Sequence, residues 1–298
     1  MTTARILKID RFESLKGMMA QATKEKSSYR AAFEASQAAG AQTLPAWVLR
    51  LREAAMNRFE RVGFPTTDVE DWKYTSPAPI ARGAFAPAAP GSPGELSAGD
   101  VNAFIAPEAA SRLVFVNGIY RAEFSSTGEL PAGVVVADLT SALNGEHEFD
   151  MRSHLARPSE TEADGFNALN AAFLGSGALI YLPKGARVAA PVQLLFLSAP
   201  APDATVAVFP RVLVVAERES AATIIESYAS IEESLSFTNA VVEVFVGENA
   251  HLTHYKVQRE SERAFHIAAT SAELGRSGSY DLTTITLGAQ LSRHGITV

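Results

Sequence analysis

The sequence predicts a mainly β protein whose strand-rich core follows an α-helical amino-terminal region. Three observations carry this. From Gly177 onward, apolar and β-branched residues form eight strand-length runs with almost no helical periodicity. Three short turns between them, Glu217-Arg218-Glu219-Ser220, Gly247-Glu248-Asn249-Ala250 and Gly275-Arg276-Ser277-Gly278, recur about 30 residues apart, a period typical of stacked repeats. The residues before Gly63 have the opposite character: much Ala, Glu, Lys and Met and few β-branched side chains. On pattern alone, a β-solenoid and a β-sandwich both remain open.

The elements follow in order. Arg11 to Gln37 reads as a first helix, with Asp10 as N-cap and Gly40 as stop. A second helix begins after Pro45, whose ring suits a first helical position. Trp47, Leu51, Ala54, Ala55, Arg58 and Phe59 form its expected buried stripe. Pro65 to Ala81 is irregular and contains Trp72, which completes an amino-terminal region over 1–82. Residues 83–110 read as a linker; the Ala, Pro and Gly of Gly83 to Gly99 leave too little apolar bulk for a packed element. The 111–176 segment mixes strands with one helix. Arg112 to Tyr120 carries a turn at Asn117-Gly118, Gly133 to Leu139 is a further strand, and Asp164 to Leu174 places Phe166, Leu169 and Phe173 on one helical face. That helix stands where a solenoid needs its open end covered. The core then spans 177–298, with strands at Ala178–Leu182, Val192–Leu197, Arg211–Val215, Thr223–Ser227, Ala240–Val246, Leu252–Val257, Ile267–Leu274 and Tyr280–Leu287.

Composition excludes several classes. The 298 residues carry 26 Lys plus Arg against 33 Asp plus Glu, a net charge of −7, which disfavours nucleic-acid binding. No apolar run is long enough to span a bilayer, and Met1 to Asp10 lacks a signal-peptide pattern, so a soluble, cytoplasmic protein is expected. With 0 cysteines, disulfides, thiolate nucleophiles and thiolate-ligated metals are impossible within this sequence.

Two stretches carry a family likeness: Asp68-Val69-Glu70-Asp71-Trp72-Lys73-Tyr74-Thr75, and Phe166-Asn167-Ala168-Leu169-Asn170-Ala171-Ala172-Phe173 followed by Gly177 to Gly185 and Pro191-Val192. Together they resemble the SufB/SufD family of iron–sulfur cluster assembly scaffolds, and the Trp72 segment is similar to the SufD branch. Gly288-Ala289-Gln290-Leu291-Ser292-Arg293-His294 is similar to a turn in the core of that family. The resemblance implies a right-handed parallel β-helix after a helical region. It also implies a complex with a SufB-like paralogue and a SufC-like ATPase, in which a nascent iron–sulfur cluster is held. Family members continue well beyond the position of Val298, through the segments that contact both partners. The chain therefore reads as a fragment or truncated product with an incomplete β-helix. No catalytic, cofactor-binding or metal-ligating residue carries over onto it, and no cofactor is expected on this chain alone.

The candidate chemistry is sparse. Of the six histidines, His251 and His254 lie three apart on a strand and so face opposite ways, which argues against a shared ion. His266 can reach them only from an adjacent coil, and His294 sits in the family-like turn. His147 and His154, among Glu146, Glu148 and Asp150, read as a solvated surface. Trp72 and Tyr74 fit either a partner-binding anchor or an internal pin, with packing the commoner use of such a pair. Asn167 and Asn170 fit backbone pairing better than acid–base chemistry, because amides are poor acids and bases. Pro183-Lys184-Gly185 is a tight turn and no phosphate loop. Gly175-Ser176-Gly177 has the wrong spacing for a hydrolase elbow. The competing function is a β-helix carbohydrate-active enzyme, of polysaccharide lyase or pectinase type, with Glu226, Glu243 and Asp281 as its carboxylates; it requires Glu226 and Glu243 side by side in one groove.

Overall fold

The computed structural model describes residues 28–38, 44–83, 85–87, 96–145, 151–156, 165–199 and 205–298. His147, Glu146, Glu148, Asp150, Asp164 and the expected first-helix caps Asp10 and Gly40 lie outside them. The strands are β1 (Ala86–Pro87), β2 (Ser111–Val116), β3 (Ile119–Tyr120), β4 (Val135–Asp138), β5 (Gly177–Leu182), β6 (Val192–Ser198) and β7 (Val206–Val208). They continue as β8 (Arg211–Ala216), β9 (Ala221–Ser230), β10 (Ser236–Val246), β11 (His251–Arg259), β12 (Phe265–Leu274), β13 (Ser279–Thr286) and β14 (Leu291–Thr297).

These strands wind into a parallel β-solenoid of about four turns. Successive coils alternate between two sheets. One carries β5, β8, β10, β12 and β14, and the other β6, β9, β11 and β13. The pairing is parallel throughout this stack, and the number of residues per coil falls steadily, from 34 to 30, 28 and 26. Gly177 pairs with Arg211, Arg211 with Val241, Phe237 with Phe265 and Phe265 with Leu291. The solenoid reading of the spaced turns therefore holds, and the sandwich does not.

The turns that suggested a repeat are its stacked corners. Glu219 (φ 64°), Asn249 (φ 55°) and Ser277 (φ 56°) occupy equivalent left-handed positions, and Gly185 (φ 74°) is the rung before them. The Gly185 N–H donates to Arg218 O, that of Glu219 to Glu248 O, and that of Asn249 to Arg276 O, so each corner is bonded to the next. Only Gly185 adopts this backbone without a steric penalty, and Asn tolerates it better than Glu. Glu219→Asn is accordingly expected to stabilise the chain by about 0.5–1 kcal/mol, read as a raised urea midpoint. A lowered midpoint would show that the Glu219 side chain contributes more than its backbone strain removes.

The lumen between the sheets is packed in columns. Its first coils are apolar: Leu113, Phe115, Ile180, Leu194, Phe196, Val212 and Val214 belong to one buried cluster. Phe115, Phe196 and Tyr228 stack face to face up one column, with ring centroids 4.9 Å apart at each step.

Three expectations change. The Gly165–Ala172 helix does not cover the open end of the stack; it packs on the flank of the first sheet, where Phe166 and Phe173 meet Phe209 and Phe237. The first coil is closed instead by short antiparallel strands, β3 against β2 in a hairpin and β4 against β5 across a long connection, which pair the backbone groups left free there. In the Ala46–Val62 helix the buried stripe runs through Val48, Arg52, Met56 and Phe59. Arg52 can enter it because its guanidinium donates to Ala172 O at 2.8 Å and to Ser36 Oγ at 2.8 Å. Within 83–110, the described residues are packed rather than bare linker: Phe85 is buried, β1 pairs with β7, and a Ser97–Asp100 capping box starts the Ala98–Asn102 helix, which buries Val101.

Candidate functional site in the solenoid lumen

The columns that are apolar in the first coils turn ionic in the later ones. Leu194 is followed by Glu226, Lys256 and Thr284, and Val192 by Ile224, His254 and Leu282. Strand alternation fixes this orientation. On β11, Leu252 faces the lumen, so His254, Lys256 and Gln258 follow it inward, while His251, Tyr255 and Arg259 are exposed.

The result is a cluster of charges sealed from water. Glu226, His254, Lys256, Gln258, Glu260 and His266 are each at most 4% exposed. One Glu226 carboxylate oxygen accepts the Tyr228 hydroxyl at 2.5 Å, and the other lies 2.9 Å from His254 Nε2. Glu260 accepts from Thr238 Oγ1 at 2.5 Å and Gln258 Nε2 at 3.0 Å, and lies 2.7 Å from His266 Nδ1. Both imidazole–carboxylate approaches are close but off the line of a hydrogen bond. The Lys256 ammonium sits 4.9 Å over the Tyr228 ring and has no hydrogen-bond acceptor among the described residues. A void of about 10 Å³, enough for one water, adjoins Tyr228, Thr238 and Glu260.

Burial and charge pull these groups in opposite directions. Burial alone would raise the Glu226 carboxyl, but Lys256, His254 and Tyr228 outweigh it and hold it below the usual range. Glu260 is likewise held down, against its burial, by His266, Thr238 and Gln258. Burial pushes the Lys256 ammonium and the His266 imidazole downward, with Glu226 and Glu260 opposing it. Burial and the Glu226 charge push the Tyr228 phenol well up.

His294 closes the cluster from the last strand. Its Nε2 lies 2.8 Å from Thr270 Oγ1, and burial, helped by the charge of Lys256, lowers it to about 4. It is therefore neutral in the folded chain until well below the ordinary histidine range. The unfolded chain takes up this proton first as pH falls. Stability is thus fully present above about pH 6.5 and is lost as pH drops toward 4. His294→Gln is expected to flatten that part of the acid-unfolding profile, followed by far-UV circular dichroism. An unchanged slope between these limits would assign the acid sensitivity elsewhere.

The turn leading to His294 rests directly on the cluster. A Cβ at Gly288 would lie 2.0 Å from the Glu260 carbonyl oxygen, so only glycine fits, and the Gly288 N–H donates to Gln258 Oε1 at 3.2 Å. On the outer face of the same strand, Arg293 lies 4.4 Å over the Trp72 ring, and Trp72 stacks on Phe166 at 5.1 Å. The three stretches that carry the family likeness thus meet in one place.

The other sequence candidates separate. His251 is exposed and bonded to Ser279 Oγ, away from His254. His154 contacts Ser153 and the Phe245 ring. Asn170 is buried and donates to the carbonyls of Pro210 and Asn239, whereas Asn167 is only half-buried. Tyr74 is 92% exposed, while its neighbour Trp72 is packed. Glu243 lies on the outer face of the first sheet, ion-paired to Arg211 at 2.8 Å, and Asp281 is exposed. Glu226, Glu243 and Asp281 therefore share no groove. Lys256, Gln258 and Glu260 were not singled out from sequence, although their alternation in phase with Leu252 was the available signal.

Comparison with known proteins decides the family. The family model described as "SufBD protein N-terminal region" matches residues 23–194, and "SUF system FeS cluster assembly, SufBD core domain" matches 198–298. The chain belongs to the SufBD family. Its SufBD relatives include an "iron–sulfur cluster assembly SufBD family protein" of Synechocystis, 34% identical over 82% of this chain and 55% of that protein. The SufD proteins of Escherichia coli and Bacillus subtilis are 29% and 28% identical, over 78% and 73% of this chain and 52% and 49% of their own lengths. The chain spans about half the length of these curated SufBD relatives. No described helix is long and apolar enough to cross a membrane.

Proposed function

We propose that this SufBD chain is a non-catalytic, SufD-type scaffold subunit for iron–sulfur cluster assembly, acting in the cytoplasm with a SufB-like paralogue and a SufC-like ATPase. The observation that carries the reading is the match to both SufBD regions, in order, across nearly the whole chain. The nascent cluster is cargo, held only in the complex and not by this chain alone. In support, the sequence has 0 cysteines, so it supplies no thiolate ligand of the kind that holds iron–sulfur clusters. The separation of Glu226 from Glu243 removes the geometry that a carbohydrate-active β-helix enzyme would need.

The test is a tagged chain expressed from its own locus, beside a full-length SufD-type protein as control. Capture of both partners by the control, little or none by this chain, and lowered iron–sulfur enzyme activity when the gene is deleted, are the expected results. Failure of both chains to retain either partner, with those enzymes unaffected by deletion, overturns the proposal.

A further inference from the structure

A cleft of about 500 Å³ lies between the Ala46–Val62 helix and the first coil of the solenoid. Phe115, Ile119, Tyr120, Phe173 and Phe209 give it an apolar, largely aromatic wall. That size and lining suit a small organic molecule.

Arg52 reaches the cleft from the helix, and its charge is unanswered. The residue is 5% exposed. Its Nε and Nη2 donate to two neutral oxygens, Ala172 O and Ser36 Oγ, each at 2.8 Å, and the guanidinium lies 5.6 Å over the Phe33 ring. Among the described residues Nη1 has no hydrogen-bond acceptor, and no carboxylate pairs with the guanidinium. The acidic groups nearby in sequence are used elsewhere: Glu34, Glu53 and Glu60 surround Arg30 at 3.0, 2.9 and 3.7 Å. Burial accordingly pushes the Arg52 guanidinium downward with no opposing charge. A buried cation without a counter-charge is strongly unfavourable, and an anion in the cleft removes that penalty.

A second polar group faces the same space. Ser176, immediately before β5, lines the cleft with a buried hydroxyl that has no hydrogen-bond partner. The acidic residue of the lining, Asp138, is already engaged: it caps the Leu139–Leu143 helix, accepting from the Ser141 N–H at 3.1 Å.

We infer that this cleft binds a small organic monocarboxylate with an apolar body, its carboxylate on the free N–H groups of Arg52 and its body against the aromatic wall. The planar guanidinium fork matches a carboxylate. One guanidinium neutralises one negative charge, so the second charge of a phosphate monoester would stay buried and unpaired. The Ser176 hydroxyl offers a donor and an acceptor to a further polar group of the ligand. The site uses none of the groups in the lumen cluster and does not depend on the scaffold reading.

Phenylacetate is a suitable probe, with phenethyl alcohol as its uncharged counterpart and phenyl phosphate as the dianion. In the full chain labelled with nitrogen-15 arginine, phenylacetate should shift the Arg52 Nε resonance along a saturating curve. The resonance of Arg30, whose guanidinium is already paired, should stay in place. The alcohol and the phosphate should each bind at least about tenfold more weakly, the loss expected for a charge-assisted contact. Arg52→Gln should weaken phenylacetate by about the same factor. Ile119→Trp, which fills part of the cleft and keeps Arg52, should weaken the acid and the alcohol alike. Absence of a saturable shift at Arg52 in the parent chain overturns the inference, whether or not the variants fold. So does equal affinity for the acid and the alcohol, which would mark an unselective apolar cleft.

Discussion

Glu226→Ala should destabilise the chain by about 3–5 kcal/mol, because it strips the partner from two buried groups at once. Lys256 would keep only the more distant help of Glu260, and His254 would face an empty space where a carboxylate oxygen now lies 2.9 Å away. Replacing the ionic column with apolar side chains should behave differently. Glu226 stands directly above Leu194 in the same column, so leucine fits its direction and surroundings. In Glu226→Leu combined with Lys256→Met, one carboxylate and one ammonium leave together, so neither is left buried without its partner. The double variant is therefore expected within about 1 kcal/mol of the parent, giving a coupling of at least about 2 kcal/mol in a double-mutant cycle. Chemical denaturation of the four chains measures this. A Glu226→Ala chain within about 1 kcal/mol of the parent would mean that water enters the lumen and screens the cluster.

That contrast also explains which parts of the molecule the sequence disclosed. The coil repeat was legible because its corners need left-handed or glycine backbone at fixed intervals, and Asn249 and Gly185 advertise it. The strands were legible because they are apolar on alternate positions. The lumen chemistry was hidden by the same rule. Polar residues on a strand are ordinarily read as solvent-facing, and His254, Lys256 and Gln258 look like a wet face unless their phase is tied to Leu252. Glu226 reads from sequence as a groove carboxylate, and only its phase with the lumen-facing Ile224 places it inside. The buried Arg52 was invisible for a related reason: its partners, Ser36 and the carbonyl of Ala172, come from separate elements brought together only by tertiary packing. Closure of the first coil by β3 and β4 was not legible, because the turn at Asn117-Gly118 and the strand near Val135 are visible locally but the antiparallel pairing of β4 with the distant β5 is set by tertiary contacts.

Trp72→Ala is expected to cost about 3–5 kcal/mol, the range for emptying a buried aromatic site, whereas Tyr74→Ala, two residues on, should change stability by less than about 0.5 kcal/mol. The Trp72 ring is 6% exposed and lies against Phe166 on one side and the Arg293 guanidinium on another. It therefore ties the irregular segment after the Ala46–Val62 helix both to the flanking Gly165–Ala172 helix and to the last strand of the solenoid. Removing it should loosen β14 as well as the amino-terminal lobe, because Arg293 loses its platform while His294, its neighbour on that strand, faces the lumen. Trp72→Phe keeps a stacking ring and should recover most of the loss. Hydrogen exchange separates the two possible roles of this motif. Increased exchange in β14 for Trp72→Ala, absent in Tyr74→Ala, identifies Trp72 as an internal pin. Equal, small effects from both substitutions would instead return the pair to the role of a surface anchor for a partner.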